Sequence, residues 1–270
     1  MVRYAFEHLE SIGEALRRSP FGLITDVDGT ISPTAPTPQQ AEVSPRCRRY
    51  LELLSRQITL VAAVSGRSAA QVAEMVDISG MVYIGNHGLE RWVNGHPELT
   101  GEARGYQATM AAALSELKPL LAMEGIIIED KGVTATIHYR RSPDPASAEK
   151  QIAATLQNSP QASKLHAMLG RMAINLLPPV AANKGTAISD LIQEYGLRSG
   201  VYLGDDVTDI DAFKAIRDYP QETGFHGLAI GVISEEMPEK FAGEVDFTLN
   251  GVRDVERFLE WLSRTASQPD

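Results

Sequence analysis

Phe21-Gly22-Leu23-Ile24-Thr25-Asp26-Val27-Asp28-Gly29-Thr30 decides how this chain is read. The stretch from Phe21 to Thr25 is short, uncharged and mostly apolar, which predicts a strand buried on both faces, as in a parallel sheet. Carboxylates at i and i+2 share one side of a regular strand. At a strand end, with Gly29 free to bend the chain, both can aim into one site. Asp26 can then act as a nucleophile that forms an aspartyl-phosphate. Asp28 can protonate a leaving alkoxide and later deprotonate the attacking water. Taken alone, an ordinary Asp/Gly turn accounts for the stretch equally well.

Working outward, strands and helices alternate. The spacing predicts a helix over Met1–Arg18, then a proline-broken loop over Ser32–Pro45. Helices follow at Arg46–Arg56 and Ser68–Val76, with buried strands at Ile58–Val64 and Met81–Ile84. Leu89–Leu99 reads as a hairpin turning at Asn94-Gly95, a dipeptide that tolerates positive φ at both turn positions. Near Gly101 the grammar changes. A helix (Arg104–Leu121) and two alternating strands (Gly125–Asp130, Val133–Arg140) are followed by a second helix (Ser147–Gln157) and two more strands (Lys164–Leu169, Arg171–Leu177). The buried-strand grammar then returns: a helix at Lys184–Tyr195, a strand at Val201–Gly204 and a helix at Asp209–Arg217. Late strands at Leu228–Val232 and Asp246–Leu249 and a closing helix at Val252–Ser263 complete it. The expected fold is α/β: a doubly wound parallel, Rossmann-like sheet from residues 1–100 and 182–270, with an inserted α+β cap at 101–181.

Ligands of such sheets sit beyond the carboxyl ends of the strands, and three more motifs fall there. Val64-Ser65-Gly66-Arg67 offers a hydroxyl, a free N–H and a helix N-terminus to a phosphate oxygen. Asn183-Lys184-Gly185 puts an ammonium where it can neutralise phosphate and Asp26. Gly204-Asp205-Asp206-Val207-Thr208-Asp209 is an acidic cluster suited to a hard cation such as Mg²⁺, which prefers oxygen ligands. Alone, Ser65 also fits a helix cap and Lys184 a solvated lysine, whereas three carboxylates in five residues exceed what an N-cap at Thr208 or Asp209 needs. Together they supply what phosphoryl transfer needs, in-line positioning and charge stabilisation.

The residues resemble the haloacid-dehalogenase superfamily, whose four motifs occur in this order. The resemblance implies Asp26 as nucleophile, Asp28 as acid/base, and Ser65 and Lys184 as phosphate ligands. It further implies Asp205 as the principal Mg²⁺ ligand beside Asp26, the main-chain carbonyl of Asp28 as a further ligand, and Asp206 or Asp209 in support through water. A closer resemblance is to trehalose-6-phosphate phosphatases. It rests on the Ser65-Gly66-Arg67 segment, Gly85-Asn86-His87-Gly88-Leu89-Glu90, Glu129-Asp130-Lys131, His138-Tyr139-Arg140, Asn183-Lys184-Gly185 and the acidic cluster. This implies a cap that closes over a sugar, with Glu129 and Lys131 binding it from the cap and His87 and Glu90 from the core. Two departures stand out. Ile210 occupies a place where the family has a glutamate, and Asn175-Leu176-Leu177-Pro178 lacks a family glutamate and a basic residue. The expected activity is hydrolysis of trehalose 6-phosphate with Mg²⁺ as cofactor. The alternatives are another sugar-phosphate phosphatase (sucrose 6-phosphate or a glycosyl-phosphoglycerate), a phosphohexomutase, or a non-catalytic sugar-phosphate sensor.

Bulk properties set the surroundings. The chain has 270 residues and a formal net charge of -10, which disfavours nucleic acid and anionic membranes as partners. A local cation site still admits a small phosphate ester. The single cysteine, Cys47, allows no internal disulfide and fits a reducing compartment. No signal-like or membrane-length apolar run is visible, so a cytoplasmic protein, monomeric and acting on a small sugar phosphate, is the expectation.

Overall fold

The computed structural model describes residues 3–170, 172–220, 223–233 and 243–267. By its internal contacts the chain divides into two units, residues 1–97 with 182–270, and residues 98–181.

The first unit is built on a sheet whose central strand is β2 (Phe21–Thr25). On one side lie β3 (Leu60–Val64) and β4 (Val82–Gly85), followed by antiparallel β5 (Glu90–Val93) and β6 (His96–Leu99). On the other lie β11 (Ser199–Gly204), β12 (His226–Ile233), β13 (Phe247–Asn250) and the two-residue β1 (Arg3–Tyr4). All pairs from β1 across to β4 are parallel. The chain leaves β2 toward β3 and returns later through β11 on the opposite side. The order therefore reverses between β11 and β2, which opens a crevice at their carboxyl ends.

Alternation along the central strands feeds two cores. Leu23, Val61, Ala63, Val201 and Leu203 pack with α1 (Leu9–Leu16), α2 (Pro45–Leu54), α3 (Ala69–Val76) and α9 (Gly251–Ala266). Ile24, Leu60, Ala62, Val64 and Tyr202 pack with α7 (Lys184–Glu194) and α8 (Ile210–Arg217). Both faces being covered, every residue of β2, β3 and β11 is buried.

The N-terminus corrects the expected helix. Arg3 and Tyr4 pair with Phe247 and Thr248, a 3₁₀ turn spans Ala5–Glu7, and the helix begins only at Leu9. Edge pairing to a finished sheet outweighs a local helical pattern too short to be stable alone. The Asn94-Gly95 turn has φ of 50° and 86°, the mirror-type geometry a two-residue hairpin requires.

The second unit contains the four-residue α4 (Gly101–Arg104), α5 (Gln107–Leu120), β7 (Ile127–Asp130), β8 (Ala135–His138), α6 (Pro145–Asn158), β9 (His166–Gly170) and β10 (Ala173–Leu177). Arg171, the expected start of the last of these strands, lies outside the described residues. The sheet is antiparallel in the order β7-β8-β10-β9. Ile128, Ala135, Ile137, Ile174 and Leu176 pack with the inner sides of α5 and α6. The opposite face carries one row drawn from all four strands: Glu129, Thr136, Asn175 and Met168.

Candidate active site

Asp26 continues β2 by one residue, its N–H donating to the Leu203 carbonyl at 2.8 Å, so the carboxyl leaves the sheet beside β11. Gly29 has φ +85°, and a Cβ there would overlap the Asp205 carboxylate. The absence of a side chain at Gly29 is what lets the loop after β2 close onto the loop after β11.

Lys184 is the first residue of α7, whose start is fixed by a capping box between Asn183 and Thr186. Its buried Nζ lies 2.8 Å from Asp26 Oδ1 and 2.6 Å from Asp209 Oδ1. Burial raises the Asp26 pKa to about 7; the Lys184 charge opposes that rise, and Asp209 and Asp28 add to it. Burial likewise disfavours the Lys184 ammonium, but Asp209 and Asp26 outweigh it and hold that pKa above the ordinary value.

A carboxylate oxygen from each of Asp26, Asp205 and Asp209 falls within 4.8 Å of the others, and all three residues are buried. Among the described residues, one ammonium stands against these three carboxylates. Such an excess of buried negative charge is costly, and a divalent cation with oxygen ligands would neutralise it. The donor set therefore fits a hard metal ion.

Asp209 is held by donors on both of its oxygens. Its Oδ1 accepts from Lys184 Nζ and from the Tyr202 hydroxyl, each at 2.6 Å. Its Oδ2 accepts from the Asp205 and Asp206 N–H groups at 2.9 and 3.0 Å. A carboxylate offers about four lone-pair positions, so these four donors hold it in one orientation. Asp206, half-exposed, accepts from the Val207 N–H at 2.7 Å and caps the turn.

Arg67 forms a two-pronged pair with Asp28: Nε to Oδ2 at 2.6 Å and Nη2 to Oδ1 at 2.7 Å. Arg67, expected among the substrate-binding residues, thereby orients the carboxylate of the expected acid/base. Ser65 is buried at the end of β3, its Oγ accepting from the Arg67 N–H at 3.2 Å. The His87 ring lies over Gly66, on a turn where Asn86 and His87 both have positive φ, 51° and 59°. Consecutive left-handed residues other than glycine are strained, and they persist where the surroundings hold them. Glu90 does part of that holding: Oε2 accepts from the Ala69 N–H at 2.6 Å and from Asn86 Nδ2 at 3.1 Å. Glu90, expected to face the sugar, thus supports this turn and the α3 N-terminus through Oε2.

In the second unit, Glu129 lies 3.0 Å from His138 Nε2 and 3.8 Å from Lys131 Nζ. Lys131 donates to Thr136 Oγ1 at 2.8 Å, and Thr136 donates to Asn175 Oδ1 at 2.8 Å. These groups form one polar chain on the sheet face turned from α5 and α6.

Tyr202 and Thr136 escape the sequence reading, and Asn175 enters it only as a departure from the family pattern. Each is a polar residue within an apolar strand, and a buried polar group must find a partner; that was the available signal. Cys47 is buried, and burial pushes its thiol up to about 12, so it is no nucleophile at neutral pH.

The fold has close counterparts. A solved C-terminal domain of C. albicans trehalose-6-phosphate phosphatase superposes with TM-score 0.77, covering 98% of each chain at 21% identity. That likeness defines a doubly wound α/β protein with an inserted α+β unit. Residues 24–242 match the trehalose-phosphatase family. The chain belongs to that family and is a phosphoric monoester hydrolase. Among curated relatives, probable trehalose-phosphate phosphatase D of Arabidopsis thaliana is 25% identical over 96% of this chain and 71% of its own. An uncharacterized glycosyl hydrolase of Mycobacterium tuberculosis is 31% identical over 88% of this chain, though only 18% of its own length is involved.

Proposed function

We propose that the chain hydrolyses trehalose 6-phosphate to trehalose and phosphate, with Mg²⁺ as cofactor and Asp26 as nucleophile. The observation that carries this reading is the convergence of Asp26, Lys184 and Asp205 from three distant segments onto one crevice, within the stretch that matches the family. An Asp26 carboxylate oxygen attacks phosphorus, the P–O bond to the sugar breaks, and the leaving oxygen takes a proton from Asp28. Water then attacks the aspartyl-phosphate, Asp28 takes up its proton, and the bond between phosphorus and the Asp26 oxygen breaks to release phosphate. Lys184 neutralises charge on the transferring group, and Ser65 and the Gly66 N–H receive its oxygens. Bound between Asp26 and Asp205, with the Asp28 carbonyl as a further donor, Mg²⁺ would supply charge neutralisation and alignment.

The unit of residues 1–97 and 182–270 is assigned the chemistry and the inserted unit the sugar, through Lys131 and Glu129, with His87 contributing from the core. Measuring phosphate release over a panel of sugar phosphates tests the reading, and trehalose 6-phosphate is expected to be the best substrate. Faster release from another sugar phosphate would overturn the substrate and leave the hydrolase standing.

A further inference from the structure

Tyr202 occupies the middle of β11, fully buried on the sheet face that packs against α7 and α8. Its ring meets Phe213 of α8 edge-on, with centroids 5.5 Å apart and planes at 73°. A phenol in such surroundings is retained only with a partner for its hydroxyl, and here the partner is Asp209 Oδ1 at 2.6 Å. The same oxygen receives Lys184, which in turn reaches Asp26. Gly204 lets this carboxylate sit tight against β11, since a Cβ there would lie 2.6 Å from Asp209 Cγ. Every acceptor position of Asp209 is thus filled, and its rotation is blocked on all sides by donors fixed to a strand, a helix or a turn.

We propose that Tyr202 is a positioning residue of the phosphoryl-transfer centre: by locking the Asp209 carboxylate it fixes the Lys184 ammonium against Asp26. The inference rests on the reading of the site as a phosphatase. The Tyr202 hydroxyl donates to Asp209 Oδ1, so it acts on the nucleophile through Asp209 and Lys184. Its O–H also draws charge from Asp209, leaving more of the Lys184 charge for Asp26 and the transferring group. Burial, with Asp209 and Asp26 nearby, holds the phenol pKa well above the ordinary value, so the group stays a donor across the working range.

Tyr202→Phe removes the hydroxyl and keeps the ring against Phe213. Its kcat on trehalose 6-phosphate should fall about tenfold, equal to ~1.4 kcal/mol, with KM within about twofold of the parent. Calorimetric titration with inorganic phosphate in excess Mg²⁺ should show affinity weakened by about fivefold, since the ammonium that meets phosphate is no longer fixed. Phe213→Leu, which loosens the packing and keeps the hydroxyl, should lower the melting temperature and leave kcat within about twofold. Parental kcat and parental phosphate affinity in Tyr202→Phe would overturn the proposal. So would equal kcat losses in both variants, because ring packing would then be the cause. If the parent releases no phosphate from any ester, the phosphatase reading fails, and the calorimetric comparison still decides whether Tyr202 orders the phosphate-binding ammonium.

Discussion

Both units of this protein gather charged and polar side chains on a sheet, yet they hold them differently. Around Asp26, the side chains of Asp209 and Lys184 are 0% and 3% exposed, and Asp209 is gripped by main-chain N–H groups as well as side chains. On the inserted sheet, Glu129, Lys131, His138, Thr136 and Asn175 bond to one another through side chains. Main-chain donors cannot turn away, whereas side chains can exchange one partner for a hydroxyl. The charge balance differs as well. Among the described residues, the core cluster sets three carboxylates against one ammonium, while Glu129 has both Lys131 and His138 beside it. A preorganised, charge-imbalanced site suits a cation and a reaction. A balanced chain with exchangeable bonds suits recognition of a neutral sugar.

The largest effect expected from this contrast lies in the core. Asp26→Asn keeps the shape and removes the nucleophile, so it should fold normally and lose at least about a thousandfold in kcat. Turnover within tenfold of the parent, measured by phosphate release, would break the aspartyl-phosphate mechanism. Excess chelator should abolish activity in the same assay and added Mg²⁺ should restore it. Ca²⁺, which takes more ligands at looser distances, should inhibit. Full activity in chelator would show that the buried carboxylates manage their charge without a cation.

How much of this was legible in the sequence follows the same divide. The strand-end motifs could be read because glycines and short apolar runs mark where buried strands stop, and a doubly wound sheet brings those ends together. Arg67 and Glu90 could not be assigned from sequence, because their use depends on which partner the fold presents: Asp28 for one, the Ala69 N–H for the other. Asp209 belongs with them, since its four donors come from β11, α7 and its own turn. Tyr202 hid inside an apolar strand, and Arg3–Tyr4 became a strand only by pairing with β13, nearly the whole chain away.

A smaller effect tests the inserted unit. Lys131→Ala should lower kcat/KM for trehalose 6-phosphate by roughly ten- to a hundredfold and barely change hydrolysis of an aryl phosphate, which needs only the core groups. Equal losses on both substrates would mean that Lys131 supports the unit's structure, and the division of labour between reaction and recognition would fall.

The smallest effect comes from Thr136, which joins Lys131 to Asn175. Thr136→Val keeps the strand-favouring shape and deletes the hydroxyl, which leaves the buried Asn175 Oδ1 without its donor and Lys131 without one acceptor. An unmet buried acceptor costs ~1–3 kcal/mol, felt as a lower melting temperature. If Lys131 reads the sugar, its looser ammonium should raise KM for trehalose 6-phosphate by roughly three- to tenfold while kcat stays near parental. Thr136→Ser, which restores the hydroxyl without the methyl, should recover most of the KM. The two variants separate recognition from stability: a valine variant that melts early at unchanged KM would show that the polar chain serves the sheet alone. A serine variant that fails to recover KM would place the effect in methyl packing, and the exchangeable-bond account of the inserted unit would then give way to one based on shape.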